Sequence, residues 1–198
     1  MEKENKKKGI HKALGRPPGS LDYTGKFKDL EITIETFSYN EEEIQRHKIT
    51  PEEFSSDIIP EGKVNWININ GIHDPDFMQK VGNETGIHSL TLEDIMNVDF
   101  TGKTEIHTDQ VFLTVKILHT DKETGTRDFE QVSFILKKDY LISFQEFNGD
   151  IFNNIRHRIS DPASRARKKD TLYLLYLLLD TVVDQYLSSV VKFSEKLR

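Results

Sequence analysis

No cysteine occurs among the 198 residues. That absence excludes a disulfide framework, thiolate zinc centres and cysteine nucleophiles, and it fits a reducing compartment. Long apolar runs are missing as well. None approaches the roughly 18 residues that a bilayer span needs, and a mean hydropathy of -0.56 with 30% charged residues describes a water-exposed surface. The chain as given does not cross a membrane. The N-terminal "MEKENKKKGIHK" is basic but has no apolar core behind it, so it is not a secretory signal and reads as a disordered tail over residues 1–14. Positive charge is scarce too. There are 27 Lys and Arg against 33 Asp and Glu, and because residues 1–16 carry +4, residues 17–198 carry -10. That balance argues against a nucleic-acid partner, whose phosphates need clustered Lys and Arg. The one basic run, Arg156 to Lys169, reads as a solvated helix face and loop.

What is present suffices for one domain with a full core. "GRPPGSLDYTGK" is turn chemistry and places the domain start near residue 15. "LEITIETF" alternates Leu30, Ile32 and Ile34 against polar residues, a half-buried strand, while "SYNEEEIQRHK" predicts a short polar helix opened by Ser38 or Asn40. "PEEFSSDI" reads as a further helical turn. "KVNWININ" is an interior strand, followed by a helix with Asp74 as N-cap, Pro75 at its first position and Gly86 as its stop. From 104 to 146 the pattern changes to strands, with Val132, Phe134 and Leu136 on one face and a turn centred on Gly125. These elements predict an α/β/α layered sandwich with a mixed, largely antiparallel sheet over residues 15–160.

Residues 161–198 begin a helical extension. "GDIFNNIRHRIS" is helical by the spacing of Ile151, Ile155 and Ile159, and "DPAS" interrupts it. A second helix then runs from 170 to 198 without a C-cap, about 43 Å at 1.5 Å per residue. Leu172, Leu175, Leu179, Val183, Tyr186, Val190, Phe193 and Leu197 form its apolar stripe. It ends in mid-course, which predicts an excised fragment.

"HSLTLEDIMNVDF" places Glu93 and Asp94 side by side at the start of a short helix. Two readings compete. Thr91 with Asp94 is a loose capping pair, and acids in a first turn complement the helix dipole. Alternatively, adjacent carboxylates mark a hard-cation site, since two unit charges about 4 Å apart cost about 1 kcal/mol in water and about 4 at an effective dielectric near 20. Asp180 and Asp184 lie four apart on the last helix and share a face. A paired-carboxylate enzyme lacks a nucleophile, phosphate cradle or acid/base partner at diagnostic spacing, so no enzymatic activity is expected. His73 and His88 each close a "GIH" but fall in no spaced ligand pair, and read as turn or helix-start residues.

In this order, "PPGSLDYTGK", "WININGIH", "LEDIMNV", "QVSFIL", "ISFQE" and "RKKDTLYLLYLLLDTVVDQY" resemble the cytoplasmic N-terminal domain of the CorA magnesium and cobalt transporters, over residues 15–198. The resemblance implies a homopentamer in the full-length protein and a funnel-shaped cytoplasmic α/β/α domain. It also implies a long stalk helix and two membrane helices with a Gly-Met-Asn pore mouth, none of which the chain contains; attachment to the membrane would come only through those segments. In that family divalent cations, magnesium and also cobalt, bind between neighbouring funnel domains and favour the closed pore. The matching residues are Glu93, Asp94 and Asp180, with Asp184 a lesser candidate, and the neighbouring protomer's aspartate would lie on the stalk beyond residue 198. "DFTGKTE" departs from the relatives' Pro-Lys turn. The implied location is the cytoplasmic side of a plasma membrane. A zinc-transporting relative is the alternative for substrate; a soluble carboxylate-dependent metalloenzyme and a module binding anionic lipid headgroups through the basic run are the alternatives of other classes.

Overall fold

A computed structural model describes residues 17–99, 102–120, 127–147 and 151–196. One mixed sheet dominates it. Its strands are β1 (Thr33–Tyr39), β2 (Ile44–Ile49), β3 (Val64–Asn70), β4 (Lys103–Ile106), β5 (Val111–Thr120), β6 (Arg127–Leu136) and β7 (Tyr140–Gln145). They lie in the order β2-β1-β3-β7-β6-β5-β4. Every neighbouring pair is antiparallel except β3 and β7, which run parallel with Trp66 opposite Leu141 and Phe144 opposite Ile69. The central strands are buried on both faces, which is why "VNWININ" carries no exposed alternation.

Among the described residues four α-helices cover the two faces: α1 (Pro75–Thr85), α2 (Ser89–Met96), α3 (Asn153–Ser160) and α4 (Thr171–Lys196). Helix α1 begins as expected. The Asp74 carboxylate accepts from the amides of Asp76 and Phe77, Pro75 needs no donor there, and Gly86 closes the helix in the left-handed region at φ 70°. Helices α1 and α2 pack Met78, Val81, Leu92 and Ile95 against Ile67, Ile69, Phe112 and Ile142. On the opposite face α3 and α4 pack Ile155, Ile159, Leu174, Leu178 and Val182 against Trp66, Val132, Phe134 and Leu141. The result is the expected α/β/α sandwich, with Val132 and Phe134 on one face and the meander β4-β5-β6-β7 in place.

Several local expectations fail for definable reasons. Residues 38–48 are not a helix: β1 runs on to Tyr39, and Asn40 accepts from the amides of Glu42 and Glu43 to turn the chain into the edge strand β2. An edge strand exposes most of its side chains, so its polar composition mimics a solvated helix. β1 itself starts at Thr33 and is buried on both faces, leaving Leu30 outside it and exposed. "PEEFSSDI" gives only a 3-10 turn at Ser56–Ile58. The strands expected from 104 onward open with a hairpin of β4 and β5. The basic run is not wholly solvated. Arg156 is buried, with its guanidinium 3.1 Å from Glu35 and over the Trp66 ring, and buried Arg167 donates to the Asn40 carbonyl at 2.6 Å. The turn at Gly125 and the tail at 1–14 fall outside the described residues.

Helix α4 is real, but its apolar stripe is out of phase with the prediction. The sheet takes Leu174, Leu175, Leu177, Leu178 and Val182, while Leu172 and Val183 face outward and Tyr186, partly exposed, donates its hydroxyl to the Lys116 carbonyl of β5. "TLYLLYLLLDTVV" is apolar around most of its circumference, so periodicity alone cannot choose the buried side.

Candidate functional site

Glu93 and Asp94 stand on α2, whose framing is specified residue by residue. The N-cap is His88, with Nδ1 accepting from the Leu90 amide at 3.2 Å, and no acid lies in the first turn. The predicted Thr91–Asp94 capping pair is therefore wrong: Thr91 is buried within the helix, and the two acids sit one turn too late to cap it. At the other end, Gln131 of β6 donates through Nε2 to the carbonyls of Asp94 and Ile95, at 3.2 and 3.1 Å. The Met96 carbonyl takes the Thr24 amide. Leu92, Ile95 and Met96 are buried beneath, which leaves the two carboxylates on the outer side of a short, fixed helix.

Both carboxylates already have partners. Glu93 Oε2 accepts from the Gly19 amide at 2.7 Å, from the extended segment before β1. Gly19 has φ 83°, and a Cβ there would meet Ser89 Oγ at 2.8 Å, so the segment approaches α2 this closely only with glycine. Asp94 Oδ2 lies 2.7 Å from Lys103 Nζ, which is also 2.9 Å from Glu105 Oε1. Lys103 and Glu105 alternate on β4 opposite Thr114 and Phe112, and so face the layer that contains α2. Hydrogen bonds to Asp94 and Glu105 push the Lys103 ammonium above its usual range, and Lys103 holds the Glu105 carboxyl below its own. Sequence reasoning missed Lys103 and Gly19. The alternation of Lys103 and Glu105 was its only signal.

Asp180 and Asp184 are exposed on α4. That helix covers the other face of the sheet, so a single protomer separates Asp180 from Glu93 and Asp94 by the full sandwich. Among the described residues no group of three or more His, Cys, Asp or Glu side chains converges to hold a metal ion. No helix among them is long and apolar enough to cross a membrane. His88 caps α2 and His73 directly precedes the Asp74 cap of α1, so both stand at helix starts as expected. The donor set on α2 nonetheless suits a hard cation. It is all carboxylate oxygen, partly exposed, and Asp94 already holds an ammonium at contact distance.

A second acidic feature lies deeper. Glu146 follows β7 and accepts from Tyr23 Oη at 2.8 Å and from the Gln131 amide at 2.9 Å. Burial, with the Glu146 carboxylate adding to it, raises the Tyr23 phenol well above its ordinary range. Burial also lifts Glu130, on β6, to about 8, against the pull of the Phe147 amide. These groups tie the segment before β1 to the sheet.

Known proteins share both sequence and shape with this chain. The family described as "CorA-like Mg2+ transporter protein" matches residues 61–198. "Cobalt/magnesium transport protein CorA" of Thermotoga maritima is 40% identical over 183 residues, 92% of this chain and 52% of that protein. The chain thus spans about half the length of this curated relative. The full-length CmaX protein superposes with a TM-score of 0.66 at 8% identity, over 85% of this chain and 50% of that one. The soluble domain of CorA from Methanocaldococcus jannaschii superposes with a TM-score of 0.62 at 14% identity, over 83% of this chain and 61% of that one. At such identities the two structures support the fold alone. The family match and the 40% identity go further: the chain belongs to the CorA-like Mg2+ transporter protein family.

Proposed function

We propose that this chain is the cytoplasmic, divalent-cation-sensing domain of a magnesium and cobalt transporter of the plasma membrane, homopentameric when full-length. The sensed ion lies between protomers. Because the sandwich separates Asp180 from Glu93 and Asp94 within one protomer, Glu93 and Asp94 of one protomer meet Asp180 of the next, beside the stalk aspartate that the resemblance implies, and the bound ion favours the closed pore. Transport is the work of membrane segments outside the described residues. The reading draws its substrates from the 40% identical relative, a cobalt/magnesium transport protein by name.

The observation that carries the sensor is the placement of the acids on opposite faces of one sandwich. Two complementary patches on opposite sides of a subunit make a head-to-tail contact, and repetition of that contact closes a ring. Magnesium prefers oxygen ligands, keeps several waters and is commonly held through one or two carboxylates, so each face supplies enough. A millimolar dissociation constant corresponds to about -4 kcal/mol, within reach of a shared, partly exposed site. Such a site exists only while the interface is closed, which gives the ion different affinities for the two arrangements of the ring.

This chain brings no cysteine of its own, and any cysteine elsewhere in the full-length protein is first changed to serine. Leu90, exposed beside the α2 acids, and Val183, exposed one turn from Asp180, are replaced by cysteine in the full-length protein. A short thiol cross-linker should join neighbouring protomers in the double variant when magnesium is millimolar, and much less after chelation. Neither single variant should cross-link. Equal cross-linking with and without magnesium would remove the interfacial sensor.

A further inference from the structure

We propose that Lys103 is a tethered competitor for the divalent cation at Asp94, with Glu105 as the place its ammonium retires to when the cation binds. The proposal rests on the interfacial-sensor reading and assigns that site its threshold and its preference for divalent over monovalent ions.

Geometry supplies the two positions. Lys103 Nζ is 2.7 Å from Asp94 Oδ2 and 2.9 Å from Glu105 Oε1, so one ammonium bridges two carboxylates on adjoining elements. Glu105 lies two residues along the same strand on the same face, and its other oxygen is 3.6 Å from His107 Nε2. The Lys103 side chain is 40% exposed, against 21% for Asp94. A rotation of the lysine chain toward Glu105 therefore needs no change of backbone. With the ammonium in place, the adjacent carboxylates of Glu93 and Asp94 do not face each other uncompensated, and the patch is stable without metal.

Charge decides what can displace it. A dissolved potassium or sodium ion offers Asp94 one unit of charge, as the ammonium does, but Lys103 is attached to the fold and acts at a high effective concentration. A monovalent ion gains nothing over it. A magnesium ion brings two charges and bridges to a second carboxylate, so it prevails once its concentration is high enough. Lys103 thus raises the concentration at which the site fills and discriminates against abundant monovalent ions.

The test is thermal melting of the full-length protein against magnesium chloride at constant ionic strength, with an Asp94→Asn control. Lys103→Met should lower the half-saturating magnesium concentration by roughly two- to five-fold, the scale of a partly screened ion pair. Lys103→Arg keeps the charge but grips a carboxylate through two parallel N–H donors, and should raise that concentration at least two-fold. Glu105→Gln, which removes the retreat, should raise it as well. A midpoint that falls in Lys103→Met but stays at the wild-type value in Lys103→Arg overturns direct competition, because it reports only the loss of a nearby charge. An unchanged midpoint in Lys103→Met overturns it outright. If magnesium stabilises the wild type and Asp94→Asn equally, the interfacial reading itself fails and the competitor with it.

Discussion

Glu130 shows how one buried carboxyl couples this fold to pH. It is 1% exposed, and burial raises it to about 8, with the nearby Glu146 carboxylate pushing in the same direction. Glu146 is raised too, chiefly by its own burial. A carboxyl whose folded value lies above its unfolded one keeps more protons when folded. Its stabilisation is fully present below the unfolded value of 4.5 and is lost as pH rises through about 8. Glu130→Gln should therefore flatten the fall in stability between about pH 5 and 8, where one linked proton contributes up to about 1.4 kcal/mol per pH unit. Urea denaturation at several pH values measures this, and parallel slopes in wild type and variant would refute it. At this scale the sequence was only partly readable. Glu93, Asp94 and Asp180 stood out as acids, and the cap at Asp74 was legible from local chemistry. The partners Gly19 and Lys103 were not, because Gly19 meets Glu93 across 74 positions.

At the scale of elements, α4 separates what is packed from what is merely apolar. Leu178 is fully buried against the sheet, whereas Val183 is 53% exposed although both sit in one apolar run. Leu178→Ala should cost about 2–5 kcal/mol, and Val183→Ser less than about 0.5, in thermal denaturation of this chain. Similar costs at both positions would mean that the helix is turned relative to the sheet. Strand β3, helix α1 and the meander were legible because interior strands, caps and alternation leave strong local signals. Strand β2 was not, since its four central residues, Gln45 to Lys48, are polar and exposed, with only Ile44 and Ile49 partly buried at its ends. The phase of α4 was hidden for the opposite reason, too many apolar positions rather than too few.

For the whole molecule, the two acidic patches and the sheet between them predict where a cation is felt. In the full-length protein, hydrogen exchange should slow with magnesium in α2 and in residues 179–188 of α4. The central strands β3 and β7 should slow only by what binding adds to global stability, while α2 and residues 179–188 gain the larger, local protection. Protection spread evenly over the sheet would indicate general stabilisation instead of an interface. The layered architecture was legible in the sequence, while the separation of the acids onto opposite layers needed the folded chain. The parallel pairing at the sheet's centre has a further consequence, for how the domain folds. Hairpins β1-β2 and β5-β6, and the rest of the meander, join strands that are close in sequence. The seam between β3 and β7 joins distant ones, with Trp66 Nε1 donating to Ser143 Oγ across 77 positions. Closing so long a loop loses chain entropy before any contact repays it. This predicts that folding is limited by a late event, the zipping of two halves along a single line, with the core around Trp66 completed only when that line closes.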